Sequence, residues 1–117
     1  MTSPTIEDWL WVEVMLVQAL IGAITPNFRE VVLSYEDSEW VIVFTLEKES
    51  NEDREEIIEI VDEFSIYLED IKSKISDVAY THARASTYIT SDKLDFKVSK
   101  ARRVIFRRKE PGKGVST

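Results

Sequence analysis

Glu13 and His82 are the two titratable residues that the hydropathy pattern sets on or beside apolar surface. A carboxylate paired with an imidazole can take up and return a proton near neutral pH, so such a pair has the chemistry of a general acid and base. It also has a plainer use. A carboxylate on a buried face needs a partner, and His82, Tyr80, Arg84 or a late arginine would supply one. The plainer use is our expectation. One histidine, no cysteine and three glycines provide neither a thiolate or imidazole cluster for a metal nor a glycine-rich cradle for a phosphate. The chain therefore reads as a non-enzyme, with no metal and no cofactor.

Charge is more informative. Residues 1–70 hold 18 Asp/Glu against 3 Lys/Arg, whereas residues 71–117 hold 12 Lys/Arg against 4 Asp/Glu, within a net charge of −7. Such a split bears on partners rather than on fold. On a helix starting after Ser50, the residues Glu52, Glu55, Glu56, Glu59, Asp62, Glu63, Glu69 and Asp70 share one arc, with Arg54 nearly alone among them. The like-charged neighbours Glu52/Glu56, Glu55/Glu59 and Glu59/Glu63 repel at i,i+4 spacing, so stability alone does not account for the pattern. Ile66 projects into the arc and Ile58 lies at its edge, as in an interface centre with a charged rim. The acidic stretch Glu36, Asp37, Ser38, Glu39 adds to the negative field. Against this stands a basic alternative, Arg102, Arg103, Arg107, Arg108 and Lys109. These residues interleave with Phe106 and suit either nucleic-acid contacts or pairing across a sheet with Glu30, Glu47 and Glu49.

Regular elements must hold these residues in place. Thr5, or Ser3-Pro4, opens a first helix with Glu7 and Asp8 at its positive end, and Pro26 ends it near Ile24. Ile6, Trp9, Leu10, Val14, Leu16, Val17, Leu20, Ile21 and Ile24 share its broad apolar face around Glu13, and Trp11, Met15 and Gln18 lie opposite. Phe28 to Tyr35 and Trp40 to Glu47 form a hairpin. Ser50 with Asp53 resembles a capping box for a second helix running to about Ile75. Ile57, Ile60, Val61, Phe64, Tyr67, Leu68, Ile71 and Ile75 make its inner stripe. Val78 to Thr90, then Leu94, Phe96 and Val98, then Arg103 to Arg108 read as further strands.

The expected fold is α+β, an antiparallel sheet with two helices on one face, in the order α-β-β-α-β-β(-β). Residues 1–110 form one domain and 111–117 a frayed tail around Pro111, Gly112 and Gly114. The apolar run Trp9 to Ile24 falls short of the ~20 residues needed to span a bilayer, is interrupted by Glu13 and Gln18, and has acidic rather than basic flanks. With no cysteine, the expected setting is the cytoplasm, without membrane contact.

In size, in lacking cysteine, in its capped α+β pattern and in the cluster Glu52, Glu55, Glu56, Glu59, Asp62 and Glu63, the chain resembles the small acidic immunity proteins of bacterial toxin systems, including contact-dependent inhibition and colicin-type nucleases. The resemblance implies a cytosolic inhibitor that binds a basic toxin domain. Two other readings stay open. One is a nucleic-acid-binding domain using Arg102–Lys109. The other is a self-associating adaptor whose acidic half meets the basic half of a second copy.

Overall fold

The computed structural model describes residues 3–94 and 101–110. Among them lie two α-helices, α1 (Ile6–Leu20) and α2 (Asn51–Asp70), a 3₁₀ turn over Val78–Thr81, and four strands. The strands are β1 (Phe28–Glu36), β2 (Glu39–Leu46), β3 (Ala83–Ile89) and β4 (Arg102–Arg107), arranged β3-β2-β1-β4 in one sheet. The expected α+β class and element order are observed. Of the three late strands read from the sequence, the middle one lies mostly on residues 95–100, outside the described residues, as does the expected tail at 111–117.

One expectation is corrected: the sheet is mixed. β1 pairs antiparallel with β2 and β4, but β3 runs parallel to β2. The cause is α2, which carries the chain back along the length of β2, so the next strand starts from the same end and must run the same way. The strand expected from Val78 is shorter for the same reason. Its first four residues turn as a 3₁₀ helix before β3 begins.

The β1–β2 hairpin closes through Asp37 and Ser38, both at positive φ (50° and 65°). A two-residue turn matched to strand twist demands that conformation. No Asn-Gly or Asp-Gly announces it, and Asp is among the few side chains that tolerate it.

Val31 and Leu33 of β1 with Trp40, Ile42, Phe44 and Leu46 of β2 turn one face of the sheet to the helices. Trp40 is the centre of that layer. Its ring lies edge-on to Trp9 of α1 at 4.8 Å and to Tyr35 of β1 at 5.0 Å. Its indole N–H donates to the Tyr80 carbonyl at 2.9 Å. α2 contributes Ile57, Ile60, Phe64 and Leu68, all buried, with Ile71 and Ile75 beyond its end, in line with its expected stripe. The helix itself ends at Asp70 and continues as turns, short of the expected Ile75.

α1 corrects a second expectation. Its buried residues are Trp9, Val12, Met15, Leu16, Ala19 and Leu20. Ile6, Leu10, Val14, Val17 and Ile21, expected inside, are exposed, whereas Met15 and the half-buried Trp11, from the less apolar side, pack against the core. A helix apolar nearly all round has no periodicity that selects a face. Tertiary contacts select it instead: Trp9 against Trp40, and Asp8 against the segment after α2. The helix also stops at Leu20, with Gly22 at φ +80° beyond it.

Three buried polar side chains fasten the loops. Asp8 completes a capping box with Thr5 and accepts from the Ser76 amide (2.8 Å) and hydroxyl (2.6 Å), tying α1 to the chain after α2. At α2, Ser50 caps the Asp53 amide, but the Asp53 carboxylate turns away to accept from Thr25 and Asn27. Arg29 donates to the carbonyls of Thr90 and Asp92 and pairs with Glu110 at 2.6 Å, joining the ends of β1, β3 and β4.

Burial alone would raise the Asp8 carboxyl, but the hydrogen bonds from Ser76 and Thr5 together outweigh it and hold it below its usual range. A carboxyl depressed in the fold stabilises above its unfolded value of about 4, and loses that contribution as pH falls through its folded value. Asp8→Ala should therefore destabilise the protein by about 1–3 kcal/mol at pH 7. In urea unfolding the gap between variant and wild type should close below the acid range.

Candidate functional site

The outer arc of α2 stands where the hydropathy pattern sets it. Glu52, Glu55, Glu59, Asp62, Glu63, Glu69 and Asp70 are exposed and Glu56 is half-buried. Ile66 and Ile58, each 61% exposed, lie at the centre and edge of the arc. Ser50, extended and N-terminal to the first turn, starts the helix so that Ile57, Ile60 and Phe64 face the sheet, and the carboxylates three and four residues apart then have only the outside left to occupy. Arg54, the one cation within α2, is engaged by Glu49 ahead of the helix and does little to offset the arc, while Lys72 beyond the helix end pairs with Glu69 at 3.3 Å. Glu63 accepts from the Tyr67 hydroxyl at 2.8 Å, which raises the Tyr67 hydroxyl above its usual value.

The turn acids are placed differently. Glu36 accepts from Ser34 at 2.7 Å and Glu39 pairs with Arg84 at 2.8 Å, while Asp37 is exposed at the tip. β2, eight residues long or roughly 26 Å, separates this turn from the start of α2, so the two acidic segments do not form one patch at that end.

The alternative basic surface is partly neutralised within the chain. Arg107 pairs with Glu30 on the neighbouring strand, and Arg108 with Glu47 (2.8 Å) and Glu110 (3.0 Å). The pairs with Glu30 and Glu47 are those expected across the sheet, whereas Glu110 is a local partner and Glu49 goes to Arg54. Arg102 lines a cleft of about 570 Å³ on the opposite face of the sheet together with Glu30, Glu36, Thr45 and Tyr88, so anions and cations are mixed there as well.

Glu13 and His82 are not assembled as an acid–base pair. Glu13 is 3.9 Å from Arg103, the late arginine of the expected set, and His82 is exposed. The Arg103 guanidinium lies 5.0 Å over the Trp9 ring, and its Nε is buried without a hydrogen bond. It opens into a cleft of about 670 Å³ formed with Pro4, Ile6, Trp9 and Tyr35. Burial, ahead of the nearby Tyr80 and Asp77, raises the Tyr35 hydroxyl. Among the described residues no group of His, Asp and Glu is arranged to hold a metal ion, and no helix is long and apolar enough to cross a membrane.

The hydropathy reading missed one surface, the outer side of α1. The signal was present in the spacing of Leu10, Val14, Val17 and Ile21, but those residues were assigned to the core. This geometry suits binding: carboxylates and apolar side chains are presented outward on helices whose inner faces are locked to the sheet.

Comparison with protein families places the chain among the immunity proteins of bacterial toxin systems. The matching family is described as MafI2 immunity protein, its model covers residues 7–110, and the chain belongs to it. Comparison with curated proteins finds no match. The resemblance drawn from size, composition and the carboxylate row is thus borne out at the level of the class, and membership implies a cognate toxin as partner.

The arc carries no folding role that its exposure would not allow. Ile66→Ala should change stability by less than about 0.5 kcal/mol, whereas Phe64→Ala, two residues away and fully buried, should cost about 3–5 kcal/mol. Urea unfolding of the two variants checks this.

Proposed function

We propose that this immunity protein neutralises a basic, nuclease-type toxin domain by binding it, without catalysis, through the acidic arc of α2. Glu52, Glu55, Glu56, Glu59, Asp62 and Glu63 steer the toxin in, and Ile66 is buried at the centre of the contact. Glu36, Asp37 and Glu39 contribute to the field at longer range. The observation that carries this reading is the row of outward carboxylates from Glu52 to Glu63, in which the one cation, Arg54, is already engaged by Glu49.

Uncompensated charge of one sign raises the rate at which an oppositely charged partner arrives and selects against partners of like charge. A toxin that cuts nucleic acid must present cations to phosphate. A carboxylate row meets that same surface and denies it to the substrate. The antidote to such a toxin acts where the nucleic acid is, hence in the cytoplasm.

The double variant Glu56→Lys with Glu59→Lys tests the proposal against the purified cognate toxin domain. Association at low salt should slow by about tenfold or more, and its dependence on ionic strength should flatten. The thermal melt should match wild type. Unchanged association kinetics would remove the arc as the docking face.

A further inference from the structure

From the geometry of α1 we infer a second element of the interface: its outer stripe, Ile6, Leu10, Val14, Val17 and Ile21, is the apolar anchor on which the basic toxin domain is seated. This rests on the proposed function and extends it from the surface that attracts the partner to the surface that retains it.

The stripe is unusual for a surface helix. Its members are between 47% and 76% exposed. A single exposed apolar side chain is ordinary, but five along one side of a helix form a continuous patch of the kind that marks an interaction site. Leu10, Val14, Val17 and Ile21 recur at intervals of four, three and four, the spacing that aligns side chains on one side of a helix.

Both ends of the stripe run into features that complete a docking surface. Ile21 lines a cleft of about 240 Å³ whose other wall carries Glu56, Glu59 and Glu63, so the apolar stripe is continuous with the acidic arc. Ile6 lines the apolar-walled cleft that also holds Trp9, Tyr35 and Arg103, so the stripe ends at a concave surface.

Charge selects the occupant. No Lys or Arg occurs in residues 1–28, while Glu7 and Glu13 flank the stripe. Two copies packed α1 to α1 would set Glu7 of each against a helix that carries no cation of its own, Glu13 being already engaged by Arg103. An anionic lipid surface would be repelled by the same carboxylates. A basic protein presenting an apolar ridge satisfies both the stripe and its border. Interface energy then divides as it usually does, with the carboxylates governing arrival and the buried apolar contact governing departure.

The test uses the full chain and the purified cognate toxin domain. Leu10→Gln with Val17→Gln should leave the circular dichroism and melting of the free protein intact, because both side chains already face water. It should speed dissociation about 100-fold with association nearly unchanged. Val14→Glu adds negative charge, so weaker binding by this variant must come from lost apolar contact. Dissociation of both variants at the wild-type rate would overturn the inference and leave the acidic arc standing. Failure of the wild-type chain to bind the toxin at all would overturn the proposed function and the inference together. Sedimentation of the free wild-type chain should show a monomer. A dimer that Val14→Glu converts to monomer would assign the stripe to a second copy and overturn the inference.

Discussion

The placement of Trp40 is the constraint on which the rest of the molecule depends. It is fully buried, the first residue of β2 to face the helices, and it touches α1 through Trp9 and β1 through Tyr35. Its indole N–H must be satisfied inside the core, and the Tyr80 carbonyl does so. That one bond fixes where the chain after α2 must pass. β3 then starts beside Trp40, since the Trp40 amide also donates to the His82 carbonyl. The parallel pairing of β2 and β3, the seat of α1 and the position of the 3₁₀ turn all meet at this side chain.

How much was legible in the sequence depended on how sharply polar and apolar residues separate. In α2 they separate cleanly, so its buried stripe, its acidic outer arc and the exposure of Ile66 could be read directly from spacing. In α1 they do not. Apolar residues occur on every side, and the face that goes inward is chosen by Trp9 meeting Trp40, a contact 31 residues distant in sequence. The parallel strand was illegible because strand composition carries no direction; only the path of the intervening helix does. Asp8 and Asp53 were read as helix-end charges, and Arg29 drew no reading at all. Their long-range partners Ser76, Glu110 and Asn27 have no local signature, although an acidic residue at the third helical position was a fair hint for Asp8.

The division of charge along the sequence changes meaning once folded. Much of the basic half is answered within the chain, by Glu30 for Arg107, Glu47 for Arg108, Glu13 for Arg103 and Glu39 for Arg84. Most of these pairs join β4 to its neighbour or to the helix layer. They are partly exposed, so each contributes little to stability, but together they set the register and cover of a short edge strand. The acidic half is larger than this internal demand. Its surplus lies mainly on α2, with Glu7 at one border of α1.

That surplus is the argument for function that stability cannot supply. Carboxylates repelling one another along α2 and an apolar stripe left in water on α1 each disfavour the free monomer. Either could be removed by exposed substitutions, lysine within the arc or glutamine along the stripe, without touching Trp40 or the buried stripe of α2. A fold whose core is so fully committed on the inner faces of both helices has no structural use for these features on the outer faces. In the reading we propose, they become favourable together when a cationic toxin surface with an apolar ridge covers both.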